Sequence, residues 1–164
     1  MIKSTVILKS VAMMIKKAGE LADKYLAERH IMQLATTAGN KPWICTVYYV
    51  HDEDRNLYWA SLPSRRHSRE LAQNPKVAAA IAYKGVIGEK VIGIQVEGSA
   101  RELELPLADR AMVERYAAKF SRDQQWIEDF VAGKTGHRFY KLTPASMVLF
   151  DEEHFPDDPQ QELL

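Results

Sequence analysis

At 164 residues the chain is long enough for one domain, and a domain of that size buries roughly 70% of its unfolded surface without disulfides or metals. Hydrophobic residues make up 46% and charged residues 27%, and 22 Lys+Arg balance 22 Asp+Glu, so net charge gives no reason to expect nucleic acid or an anionic membrane as partner. Cys45 is the single cysteine, which rules out an intrachain disulfide and points to a reducing, cytoplasmic compartment; no stretch approaches the ~20 apolar residues of a membrane span.

The first residues carry short apolar runs broken by Lys3 and Lys9, unlike a signal peptide. Residues 1–13 read as a loose extension, with Met13 and Met14 as alternative starts to Met1. From Ile15 the apolar residues recur at Ala18, Leu21, Ala22, Tyr25 and Leu26, one face of an amphipathic helix ending near Arg29. Residues 31–36 read as a strand, residues 38–42 as a tight turn, and residues 43–50, rich in β-branched and aromatic side chains, as a second strand. After the polar turn at 51–56, residues 57–61 form a third, and short links predict that the three pair as an antiparallel meander.

A short helix follows and stops at Asn74-Pro75. Residues 77–83 read as a buried strand. Residues 91–105 alternate, with Ile92, Ile94 and Val96 facing one way and Gln95, Glu97 and Ser99 the other, which predicts a long strand bent at Gly98. Pro106 opens a helix bearing Ala108, Met112, Tyr116 and Phe120 on one face. Ser121 to Gln124 resembles a capping box for another helix, carrying Trp126, Ile127, Phe130 and Val131 and ended by Gly133. Residues 138–150 close the fold as a strand or strand pair, and the acidic tail from Asp151 reads as loose. With no βαβ alternation, the pattern predicts a mostly β, α+β fold: an antiparallel barrel or strongly curled sheet with helices at its edges. Residues 1–150 form one domain and residues 151–164 an acidic tail.

The most informative segment is Ser64-Arg65-Arg66-His67, at the start of the short helix. Ser64 is placed to cap the helix, because its hydroxyl can accept from free N–H groups of the first turn. Basic residues are the wrong charge for that end, where the helix dipole favours anions. An anion docked among them would reconcile the two, with N–H groups and guanidinium groups together making a phosphate site. The plainer alternative is that Arg66 pairs with Glu70 at i,i+4 and the cations are simply solvated. No dinucleotide or P-loop glycine motif, nucleophile elbow or metal-ligand spacing is present; the histidines at 30, 51, 67, 137 and 154 make no zinc pattern. Cys45 reads as a small packed hydrophobe. Trp59 and Tyr48 could flank a planar ring, or be core.

The ordered set of residues 31–36, Lys41-Pro42, residues 46–50 and 57–61, Ser64-Arg65-Arg66-His67, Leu71, Asn74-Pro75-Lys76-Val77 and Gln95-Val96-Glu97-Gly98 resembles pyridoxamine 5′-phosphate oxidase-like proteins, and most closely their YhbP-like branch. The resemblance covers about residues 25–150. It implies a six-stranded antiparallel split β-barrel and a homodimer with two FMN sites at the subunit interface. It further implies that Thr46, Val47 and Tyr48 contact the isoalloxazine, and that Trp59, Ala60 and Ser61 lie along the ribityl chain. Ser64, Arg65, Arg66 and His67 would hold the phosphate, and Gln95 would approach the ring or the partner's flavin. The expected function is that of an FMN flavoprotein, an oxidoreductase with a small-molecule electron donor and acceptor. A non-catalytic flavin or haem binder is the alternative, and deazaflavin the alternative cofactor; no nucleic acid or metal is expected. Two departures bear on this. His67 stands where the family commonly has Lys, and residues 157–164 hold neither Arg nor His to read a vitamin B6 substrate, so pyridoxamine phosphate oxidation is not expected.

Overall fold

The computed structural model describes residues 2–104 and 110–164, with side chains from residue 11 onward. The first helix, α1 (Ile2–Glu28), begins well before Ile15. Its buried face is the one the periodicity marks, Ala18, Ala22, Tyr25 and Leu26 all being essentially inaccessible. Strands β1 (Ile31–Ala38) and β2 (Lys41–Tyr48) pair through a two-residue turn at Gly39 and Asn40, both at positive φ, which matches the twist of a tight hairpin. Next come β3 (Val50–His51), β4 (Leu57–Ser61), helix α2 (Arg66–Leu71), β5 (Lys76–Lys84) and β6 (Ile92–Leu103). Helices α3 (Arg110–Lys119) and α4 (Gln124–Val131) are followed by β7 (Arg138–Asp151) and β8 (Gln160–Glu162). The expected helix start at Pro106 and Ala108 lies outside the described residues.

All strand pairs are antiparallel, in the order β2-β1-β5-β6-β7-β4-β3, with β8 added beside β7. The expected meander is therefore half right. β1 and β2 pair, but β4 leaves them and lies against β7, Leu57 opposite Leu142 and Ser61 opposite Arg138. Tyr49 alone separates β2 from β3, although these strands stand at opposite ends of the order. Strands joined by one residue cannot be far apart, so the sheet must curl until its ends meet: a split barrel. The six long strands are the six expected; β3 and β8 are short additions.

The inward residues of β6 alternate as the sequence predicts, and β5, expected as a buried strand, is buried on alternate residues only. Val77, Ala79 and Ile81 of β5 and Ile92, Ile94 and Val96 of β6 are buried with Met32, Leu34, Trp59 and Leu149, and α1 closes this core. A second core lies outside the barrel, where α3 and α4 cover Tyr58 and Phe139 with Val113, Tyr116, Ile127 and Phe130. Strand β4 is thus covered on both faces. The bend expected at Gly98 is a register shift between Glu97 and Gly98, where β6 presses on β7; a Cβ at Gly98 would collide with the Thr143 carbonyl oxygen.

Two local expectations are corrected. Helix α4 is capped by Asp123, not through Ser121: the Asp123 carboxylate accepts from the Trp126 backbone N–H at 2.8 Å. The run from Asp151 is not loose. Asp151 is fully buried, accepts from the Tyr25 hydroxyl at 2.9 Å and from the backbone N–H groups of Glu153 and His154, and turns the chain back so that β8 pairs with β7.

Candidate functional site

Where the second half of β2 passes the end of β4, the chain leaves β4 through a turn in which the Arg65 N–H donates to the Leu62 carbonyl, and α2 starts. These three pieces border an open cavity of about 330 Å³. Thr46, Val47 and Tyr48 line it from β2, Ala60 and Ser61 from β4, and Arg65 and His67 from the turn and the first turn of α2. The fold therefore gathers most of the predicted site residues around one space. Leu62, Tyr116 and His137 complete the wall.

Arg65 is exposed, and among the described residues its guanidinium has no hydrogen-bond or ion-pair partner. His67 is buried, its Nε2 sharing a 2.8 Å hydrogen bond with the Ser61 hydroxyl. Burial, and secondarily the Arg65 cation, push the His67 imidazole below its ordinary value. It is neutral at pH 7 and adds shape and hydrogen bonding rather than charge. His137 is half-buried, with Nδ1 3.2 Å from the Thr135 carbonyl. A bond there leaves Nε2 as the acceptor. Ser61 and His67 supply two members of a hydrolytic chain, but no carboxylate bonds His67 Nδ1 among the described residues, so the third is missing.

The remaining predicted residues lie elsewhere. Ser64 is not the helix cap: Arg65 occupies that position with an extended backbone and no side-chain capping bond, and the Ser64 carbonyl accepts from Arg69 Nη1. Arg66 points away from the cavity. Its Nε donates to Glu70 at 2.7 Å, and its guanidinium lies 4.3 Å from the centre of the exposed Trp43 ring. Glu70 is buried and also accepts from Thr36 at 2.5 Å. The plain pairing of Arg66 with Glu70 is thus the observed one, and Arg65 is left as the free cation. Trp59 is core, with no exposure and its ring stacked 5.5 Å from Tyr140. Gln95 faces outward on β6, in a separate hollow of about 380 Å³ with Gln33, Ala35, Ala78 and Ala80. Cys45 is half-buried against the core, as expected of a packing thiol. Burial and then Glu70 push it above its ordinary value.

Tyr116 and His137 carry no local signal in the sequence. Tyr116 reads as one more apolar position on a helix, and His137 as a turn residue beside Gly136. Only the pairing of β4 with β7, Ser61 opposite Arg138, and the docking of α3 bring them to the cavity. Among the described residues no group of three His, Cys, Asp or Glu could hold a metal, and no helix is long and apolar enough to cross a membrane.

A curled antiparallel sheet with flanking helices and a cavity between β2, β4 and α2 defines a split-barrel protein. The chain matches the pyridoxamine 5′-phosphate oxidase family over residues 19–148 and belongs to that pyridoxamine 5′-phosphate oxidase-like family. It is 29% identical over 102 residues to a UPF0306 protein of Photorhabdus laumondii, covering 62% of this chain and 71% of that one. Its fold is similar to that of HutZ, the heme storage protein from Vibrio cholerae (TM-score 0.63, 17% identity, 76% of this chain and 88% of that chain). It is also similar to a FAD-binding protein from Mesorhizobium loti (TM-score 0.58, 21% identity, 76% and 88%).

Proposed function

We propose that the cavity between β2, β4 and α2 binds FMN and that the protein is a flavoprotein oxidoreductase acting on a small-molecule donor and acceptor. The observation that carries this reading is Arg65, an exposed guanidinium without a partner among the described residues, on the wall of a polar cavity. Such a group suits a phosphate. Bound flavin supplies the redox chemistry, and the chain supplies position and electrostatics. Arg65 neutralises the phosphate, and Ser61, oriented by His67, offers a hydroxyl to the sugar-alcohol chain. Thr46, Val47 and Tyr48 offer backbone and side-chain contacts to the ring. No acid–base or nucleophilic chain is required, in keeping with its incompleteness at Ser61 and His67.

The working unit in this reading is a homodimer in the cytoplasm with two sites at the interface. β2 is an edge strand on which Trp43, Ile44 and Tyr48 are 41%, 60% and 55% exposed, and the outward face of β1 and β5 carries Ala35, Ala78 and Ala80 around Gln95. An edge strand beside a hollow lined by small residues favours burial against a second copy, and that copy would carry Gln95 toward its neighbour's flavin. Residues 1–150 would act as the flavin domain, with the acidic tail as its lock.

The test is the visible absorption spectrum of the purified chain, mass spectrometry of what denaturation releases, and titration with FMN, deazaflavin and haem. FMN uptake at one per chain supports the reading; uptake of haem alone refutes it. A second reading, a carrier that binds flavin or haem without turnover, is favoured by the likeness to HutZ. Flavin that binds but is never reduced by NADH or NADPH selects that one.

A further inference from the structure

Tyr116 reaches the cavity from α3, outside the barrel, and only 7% of it is exposed. Its ring is clamped by other aromatic rings: Phe120 at 4.6 Å, Trp126 stacked at 6.0 Å and Phe139 edge-on at 5.9 Å. Tyr48 comes to the same place from β2, its ring 4.8 Å from Phe120. The clamp explains where the Tyr116 ring sits, but not why it carries an oxygen. Among the described residues the hydroxyl has no hydrogen-bond partner, and phenylalanine would fill the same space. Although the residue as a whole is buried, its hydroxyl is not a buried atom but stays open at the cavity, so a phenol held this firmly offers its polar atom to whatever enters the cavity.

The phenol also keeps its proton. Burial raises it to about 12, so the group is a hydrogen-bond donor throughout the physiological range. A donor at the aromatic end of the cavity, with the Arg65 cation also lining it, asks for a ligand that has an anion and a flat ring bearing acceptor atoms. Isoalloxazine has carbonyl oxygens and unprotonated ring nitrogens at its pyrimidine edge. Haem has acceptors only on its propionates, which the cation would take.

Resting on the FMN reading, we propose that Tyr116 donates its hydroxyl hydrogen to an acceptor atom of the flavin ring and makes this site prefer flavin to haem. The bond should strengthen on reduction, because two-electron reduction places negative charge on those acceptors, and so raise the flavin's potential.

The experiment compares wild type, Tyr116→Phe and Arg65→Ala by titration with FMN, riboflavin and haem, and by potentiometry of bound FMN. Tyr116→Phe is expected to bind both FMN and riboflavin about tenfold more weakly, with haem affinity unchanged. The equilibrium for two-electron reduction should fall about tenfold, which is about 30 mV more negative. Arg65→Ala should weaken FMN and leave riboflavin alone, separating the ring from the phosphate. Unchanged flavin affinity and potential in Tyr116→Phe overturn the inference and leave the FMN reading standing. Wild type that takes up neither flavin overturns both. Should the variant fail to fold, infrared difference spectra of wild type with bound FMN read the same bond. Flavin carbonyl bands at their free-solution, unbonded positions, with no phenol response, also overturn it.

Discussion

Arg65 and Arg66 are adjacent in sequence and opposite in situation, and the two alanine variants should separate cleanly. Arg65 has no partner within the chain among the described residues, so removing it costs the fold nothing specific. What is lost is one charge-assisted hydrogen bond to phosphate, worth about 1.5–3 kcal/mol. At about 1.4 kcal/mol per factor of ten, that is roughly tenfold to a hundredfold in FMN affinity. Arg65 is exposed, so screening favours the lower figure, about tenfold, and the difference should shrink as salt rises. Arg66 is committed to Glu70 at 2.7 Å and to the Trp43 ring. Arg66→Ala leaves the buried Glu70 with Thr36 and without its ion-pair partner, so the melting temperature should fall while FMN affinity stays within about twofold of wild type. Flavin fluorescence quenching and thermal denaturation measure both. If Arg66→Ala abolishes FMN binding with an unchanged melt, and Arg65→Ala does neither, the assignment of Arg65 is refuted.

Gly98→Ala forces a methyl group onto the Thr143 carbonyl oxygen and within 3.0 Å of Pro144 Cα. Overpacking of about 1–3 kcal/mol at about 2–4 °C each predicts a melting temperature lower by roughly 3–10 °C; an unchanged melt would mean β6 and β7 can separate freely there. His67 and His51 are both held below the ordinary imidazole value, chiefly by burial. The unfolded chain therefore binds more protons between their folded values and about 6.5. Stability is full above that pH and is lost as pH falls through the folded values, and His67→Gln should flatten the loss seen by urea denaturation between about pH 7 and 5. Cys45, raised by burial and by Glu70, is a protonated thiol at pH 7. Iodoacetamide should alkylate it more slowly than free cysteine, and Cys45→Ser should keep FMN binding and any turnover. Asp123→Ala removes the α4 cap and should cost about 1 kcal/mol in chemical denaturation.

The reach of the sequence reading follows from how local each decision is. Alternation named the inward residues of β6 because a half-buried strand shows its two faces in a period of two, whereas the alanine run of β5 hid the same alternation. Gly39-Asn40 and Gly133 marked a hairpin and a helix end because positive φ restricts residue choice. The partner of β4 was hidden: Leu57 meets Leu142 across about half of the chain, and nothing near Leu57 records it. Trp59 looked free to flank a ring because its own strand does not show that both of its faces are covered. In the candidate site, the basic turn was visible, but which arginine is free depends on Glu70, whose carboxylate is held from the other side by Thr36 of β1. Tyr116 and His137 enter only through tertiary docking.

The lone residue between β2 and β3 bears on how such a chain is made. Tyr49 carries the backbone from one rim of the sheet to the other. During synthesis β4 has only two-residue β3 beside it until β7, some eighty residues downstream, emerges. Assembly from the ribosome therefore cannot finish in stages: the barrel's seam stays open, with Trp59 lacking its Tyr140 neighbour, until the last long strand arrives. Shortened products ending before Arg138 would display that raw seam to their neighbours, so a cell making this protein has reason to shield the growing chain until it is nearly whole.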